Sequence, residues 1–252
     1  MDKEVQLISY RRFNSMPEVV AFTTCRDSIH GINQPRFTGA DHEMTAVARH
    51  AIADILHIDA GQLVFPGQEH TNVVVEVDSV GYNRHDPADA LITNKQGICL
   101  CIQTADCVPV IFYDPEKRVI AVAHAGWRGT SSLIVREVLN RFFRRYSSSP
   151  QNILTVMGPA ISVSAYEVGA EVAEAIRRNI PNAGLAIKKE DGGKYRIDLH
   201  EANKQVMLDC GILPENIDAS DYCTFADNHL FFSARREGIA TGRIVTGIML
   251  NH

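Results

Sequence analysis

The sequence predicts an α/β fold, with mixed sheets covered by helices, in one compact domain spanning residues 1–252. Two observations predict it. Between Asp89 and Thr130, the runs 98–103, 108–113 and 119–123 are short, apolar and rich in Val and Ile. Turn chemistry bounds each one, at Asn94-Lys95-Gln96-Gly97, Thr104-Ala105-Asp106 and Asp114-Pro115-Glu116-Lys117, so they read as three buried strands. Around them lie amphipathic helical stretches. In residues 131–146, Leu133, Ile134, Val138, Leu139, Phe142 and Phe143 recur at helical spacing. A chain of 252 residues with 45% hydrophobic side chains can bury a sizeable core.

The remaining elements follow in order. Residues 5–10 and 19–24 read as strands around the turn 14–17. Residues 43–57 form a helix with Met44, Val47, Ala48, Ala51, Ile55 and Leu56 on its apolar stripe. His50 and His57 on it have no neighbours that would complete a ligand set. Residues 73–77 alternate as a strand, and 82–90 are a polar loop. Arg141, Arg144 and Arg145 close the helix 131–146, where cations complement the dipole. Residues 153–157 read as a strand ending in Gly158-Pro159-Ala160, and 166–179 as a helix that stops before Pro181. An exposed turn at 186–193, a strand at 195–198 and a helix at 199–210 lead to a last strand at 244–250. No linker, internal repeat or low-complexity segment divides the chain.

Composition excludes several function classes. Lys and Arg number 25 against 30 Asp and Glu, a net charge of −5. General nucleic-acid binding or binding to an anionic membrane would require a basic excess. No apolar run approaches the roughly 20 residues of a membrane span, and the first residues, MDKEVQLISYRRF, lack a signal-peptide core. The six cysteines form no CxxC pair and no disulfide-scaffold density, which places the protein in a reducing cytoplasm. Cys99 and Cys101, two apart on a strand, share one face as small buried side chains.

Reactive side chains gather where the central strands begin and stop. Asp106 and Cys107 precede the second strand and His124 follows the third. Gly126 and Gly129 bracket Trp127 and Arg128 at the start of a helix, whose free N–H groups favour an anion. Arg128 reads either as an anion ligand or as the partner of a carboxylate such as Asp106. Trp127, the single tryptophan, reads as core packing or as a stacking surface.

The segment TADCVPVIFYDPEKRVIAVAHAGWRGT is very similar to the signature of the YfiH-like family, whose members carry laccase-domain or polyphenol oxidase descriptions and act as purine nucleoside phosphorylases with accompanying adenosine deaminase activity. The resemblance runs from Gln68 to Arg243. It includes Gln68-Glu69-His70, GPAISVSAYEVGAEV, Cys223-Thr224, FFSARR at 231–236 and Thr241-Gly242-Arg243. Two departures stand out: the loop 25–37 lacks the family's Gly-Gly pair, and the frequent Cys pair of the GPAI segment is absent. The resemblance implies a layered α-β-β-α sandwich likened to cysteine hydrolases. It also implies a catalytic set of His70, Cys107, His124 and Asp106, with Gln68, Arg128 and Arg26 (the loop arginine, one position late) facing substrate and phosphate.

On that resemblance His70, Cys107 and His124 form a three-ligand set. One thiolate and two imidazoles suit zinc and leave a fourth position open, where a bound water loses its proton more easily. A metal-free reading uses the same residues, with Cys107 as a nucleophile activated by His124 or His70. The spacing does not separate the two. A copper-dependent, laccase-like polyphenol oxidase is the further alternative, since His-Cys-His ligation superficially matches a blue-copper set. Multicopper oxidases also need His-x-His pairs, and the chain has none. The expected function is thus cleavage of adenosine, inosine or guanosine by phosphate to free base and ribose 1-phosphate, with deamination of adenosine beside it.

Overall fold

The computed structural model describes residues 7–26, 42–80 and 87–251. In chain order these form β1 (Leu7–Ser9), β2 (Val19–Thr24), α1 (His42–Leu56), β3 (Leu63–Val64), β4 (Val74–Glu76), β5 (Ala90–Thr93), β6 (Cys99–Thr104), β7 (Val108–Asp114) and β8 (Val119–Ala125). There follow α2 (Trp127–Ser131), α3 (Ile134–Tyr146), β9 (Leu154–Met157), β10 (Glu167–Val168), α4 (Ala170–Asn179), β11 (Ile187–Lys189) and β12 (Tyr195–Ile197). The chain closes with α5 (Leu199–Asp209), β13 (Ile217–Ala219), α6 (Ala234–Glu237) and β14 (Ile244–Leu250). No described helix is long and apolar enough to cross a membrane.

Two mixed sheets face each other. One has the order β1-β2-β14-β6-β3 and the other β13-β9-β7-β8-β5-β4, while β10-β12-β11 make a small third sheet. Strand alternation decides which side chains meet. Ile111 and Tyr113 of β7, with Ile120 and Val122 of β8, pack against Leu100 and Ile102 of β6 and Ile248 and Leu250 of β14 between the sheets. The intervening Val110, Phe112, Ala121 and Ala123 point the other way, onto Val138, Leu139 and Phe142 of α3 and onto α4 and α5. Burial of each Val, Leu, Ile and Phe side chain here is worth about 1.5–3 kcal/mol. On the far side of the first sheet, Cys99, Cys101 and Val245 meet Ala48, Ala51 and Ile52 of α1. The result is the layered α-β-β-α arrangement. Cys99 and Cys101 share the buried face with their sulfurs 3.7 Å apart.

Four local expectations change. The helix expected over 131–146 starts only at Ile134, because Ser131 ends the preceding α2 and Leu133 takes a left-handed φ of 63° between α2 and α3. The helix expected from Tyr166 begins at Ala170 behind the Gly169 cap, and Glu167–Val168 pair with β12 instead. The exposed turn at 186–193 contains β11, antiparallel to β12. On α1, Val47 is 42% exposed and Ile52 takes the inward place. The divergent loop 25–37 lies outside the described residues beyond Arg26.

Candidate functional site

The site lies where the chain crosses from one sheet to the other. β6 ends at Thr104 and β7 begins at Val108, so Ala105, Asp106 and Cys107 make the whole passage. Asp106 holds the corner at a positive φ of 89°, a conformation that Asp tolerates better than most residues. The Thr224 hydroxyl donates to one of its carboxylate oxygens at 2.6 Å and the Arg235 amide donates to the other at 2.7 Å.

Cys107 follows this corner. Pro109 pairs with His124 across the β7–β8 ladder, which brings the end of β8 beside the thiol. His70 arrives from the loop after β3 with a φ of 61°. The ligand atoms of His70, Cys107 and His124 all lie within 4.8 Å of one another, the one such cluster among the described residues. The two imidazole rings sit edge to face, 4.8 Å between centroids.

Asp89, which sequence reading left without a role, ties this cluster together. Its carboxylate is fully buried and accepts five hydrogen bonds: from the amides of Glu69, His70 and Thr71, from the Thr71 hydroxyl and from His124 Nδ1. The amides set the position of His70, and the bond to Nδ1 leaves the other ring nitrogen of His124 for a ligand. Nothing in the spacing of the sequence shows this, because the partners are main-chain groups of a loop.

Charge follows the geometry. Burial pushes the Cys107 thiol up, but the His124 charge and hydrogen bonds from His124 and His70 outweigh it and lower the thiol to about 6. Burial pushes His124 down, while the Cys107 charge and the Asp89 hydrogen bond raise it to about 9. Gly126 makes the approach possible: a Cβ there would stand 2.7 Å from the Cys107 sulfur and 3.2 Å from the His70 ring. A thiolate and two imidazoles, one backed by a carboxylate, are donors that fit a divalent metal with an open coordination position.

The cluster forms part of the wall of a cavity of about 480 Å³, within the usual range of about 300–1,000 Å³ for small-molecule sites. Asp106 and Trp127 line it, as do Gln68, Tyr166, Arg235 and Arg243. Trp127 also packs against the helical core. The Gln68 amide makes two bonds of 2.8 Å to the main chain of Gln103, which fasten β6 to the His70 loop. Arg128 is not among the lining residues; its guanidinium lies 4.3 Å from the Trp127 ring. Arg26 also falls outside the lining, pairs with Glu237 and rests over Phe232. Burial, then the Cys107 charge, pushes the Tyr166 hydroxyl up, so it keeps its proton. Tyr166, Arg235 and Arg243 all fall in segments of the family resemblance, which pointed to no role for them.

A four-layer α/β sandwich carrying a His-Cys-His cluster at the crossing between its sheets defines the class. The chain belongs to the YfiH-like family: residues 23–251 match the model described as multi-copper polyphenol oxidoreductase laccase. The purine nucleoside phosphorylase of Bacteroides thetaiotaomicron is 35% identical, over 99% of this chain and 98% of that protein. Adenosine deaminase RL5, from an unknown prokaryotic organism, is 35% identical over 93% of this chain and 95% of its own. Bacillus licheniformis YfiH superposes with a TM-score of 0.88 at 31% identity, covering 99% of this chain and 97% of that one.

Proposed function

We propose that the chain is a purine nucleoside phosphorylase that also deaminates adenosine, working at a zinc ion held by His70, Cys107 and His124. The observation that carries this reading is the cluster of three donors within 4.8 Å on the wall of a nucleoside-sized cavity. The full-length likeness to a purine nucleoside phosphorylase and to an adenosine deaminase supports it.

In phosphorolysis a phosphate oxygen bonds to C1′ of the ribose as the C1′–N9 bond breaks. The electrons of that bond pass to the base, which takes a proton, and ribose 1-phosphate and free purine leave. Deamination adds water at C6 of adenosine and releases ammonia. Zinc supplies Lewis-acid chemistry to this site. The chain itself does the positioning: Asp89 fixes the His124 imidazole and the main chain of His70, Gly126 lets the thiol lie close, and Gln68 joins the His70 loop to β6. Tyr166 offers a protonated hydroxyl at the cavity wall, where a departing base needs a donor. Trp127 gives the purine a flat face.

The sequence supports zinc over a laccase, because the chain carries no His-x-His pair of the kind a multicopper oxidase needs. Incubation of the pure protein with adenosine and phosphate, resolved by chromatography, tests the reading. Adenine, hypoxanthine and ribose 1-phosphate are expected. Unchanged adenosine together with phenol oxidation on added copper would overturn it.

A further inference from the structure

We infer that the phosphate used in this reaction is held by the closing segment, with Arg235 as its principal ligand and Arg243 as the second positive group. The assignment rests on the phosphorolysis reading above and goes against the sequence expectation, which gave the anion to Arg128 and Arg26.

Placement is the first reason. Arg235 and Arg243 line the same cavity as His70, Cys107 and His124. Arg128 is not among those lining residues and its guanidinium lies over the Trp127 ring, while Arg26 is engaged with Glu237.

Rigidity is the second. The Arg235 amide is bonded to the Asp106 carboxylate at 2.7 Å, and Asp106 adjoins Cys107, so the base of this side chain is fixed relative to the thiol. Further out, Nη1 donates to the Glu167 carbonyl at 2.7 Å, and the guanidinium lies 5.1 Å from the centre of the Tyr166 ring. Two anchors and a stacking surface hold the fork in place before any ligand arrives. Arg243 donates to the carbonyls of Gly242 and Ile239 at 2.9 and 3.0 Å, which shapes the same segment around its own charge.

The third reason is what happens to the neighbouring acids. Asp106 is satisfied by a hydroxyl and an amide, both neutral. Glu167 offers Arg235 only its carbonyl, and its carboxylate reaches Lys194 at 3.7 Å. Glu237, two residues along, is taken by Arg26 and by the Thr241 hydroxyl. Among the described residues no ion pair includes Arg235. Its charge therefore stays directed at the cavity, and a planar guanidinium suits a phosphate through paired hydrogen bonds. Arg26 gains a different role from the one expected of it: it removes a carboxylate that would compete for Arg235.

Calorimetric titration of the zinc-loaded full chain with inorganic phosphate tests the assignment, each variant being checked for zinc content and melting temperature. Arg235→Gln should weaken phosphate binding by about tenfold or more, the loss of a charged hydrogen-bonding group. Arg243→Gln should weaken it less, Arg235→Lys should recover part of the loss, and Arg128→Gln should stay near wild type. In turnover, Arg235→Gln should raise the KM for phosphate more than the KM for nucleoside. Absence of phosphate binding to the wild type, equal binding by Arg235→Gln, or a loss confined to Arg128→Gln would overturn the site. Binding lost in Arg235→Gln from a chain that cleaves no nucleoside would uphold the anion site and sink the phosphorolysis reading instead.

Discussion

The Asp89 carboxylate and the His124 imidazole meet at 2.7 Å, both buried, while the same carboxylate takes the His70 amide at 3.0 Å. One acidic side chain thus places two members of the His70, Cys107 and His124 cluster. Asp89→Asn keeps the volume but loses the charge and half of the acceptor capacity. It should weaken zinc binding by about 10–100-fold, measured by competition with a chromophoric chelator. Zinc affinity equal to wild type would show that the hub does not position the ligands.

Cys107→Ala separates ligand from catalyst. Loss of the thiolate should lower zinc content and turnover together, since two imidazoles hold zinc less well. Metal analysis beside kinetics and a melting curve checks this. Full zinc with activity alone abolished would assign the thiol to catalysis and favour the metal-free hydrolase reading.

The metal-free protein should show an unusually acidic thiol. Cys107 is lowered from its ordinary 9.0 to about 6, so the thiolate forms as pH rises through about 6 and is lost below it. Alkylation of Cys107 by iodoacetamide, followed by mass spectrometry, should climb between about pH 5 and 7. Asp89→Asn withdraws support from the His124 charge and should move the midpoint upward. A wild-type midpoint at the ordinary thiol value would contradict the ion pair between Cys107 and His124.

Gly126→Ala should fail for a steric reason alone. The backbone φ of −71° suits alanine, but the added methyl would stand 2.7 Å from the Cys107 sulfur. Overpacking of this kind costs about 1–3 kcal/mol, and here the strain falls on a ligand. The melting temperature should drop modestly while kcat/KM falls steeply. Unchanged zinc content and kinetics would mean the thiol can move aside freely.

Much of this was legible in the sequence. The three central strands stood out because Val and Ile runs between Asp/Gly/Pro turns leave few alternatives, and Cys107 and His124 stood out because they flank those strands. Asp89 was not legible, since its partners are amides of residues 69–71 and hydrogen bonds to the main chain leave no residue pattern. The break at Leu133 was hidden because Leu133 itself falls in the apolar pattern that runs on through α3. Arg235 and Arg243 lay in plain view, but their sequence distance from Cys107 gave no hint of a shared wall. Arg128 drew the anion role through its place beside two glycines, and its guanidinium lies over the Trp127 ring.

The pairing of Pro109 with His124 has an arithmetic consequence. Successive residues of β8 alternate between the inter-sheet core, with Ile120 and Val122, and the helical layer, with Ala121 and Ala123. His124 shares the parity of the first set. A slip of one residue in the β7–β8 register would turn it to the opposite face, away from Cys107. A slip of two would restore the face but carry the ring about 7 Å along the strand. Length changes in this hairpin can therefore be accommodated only outside the ladder, in the exposed residues 115–118, and the His-Cys-His cluster acts as a ruler that counts the residues between thiol and imidazole.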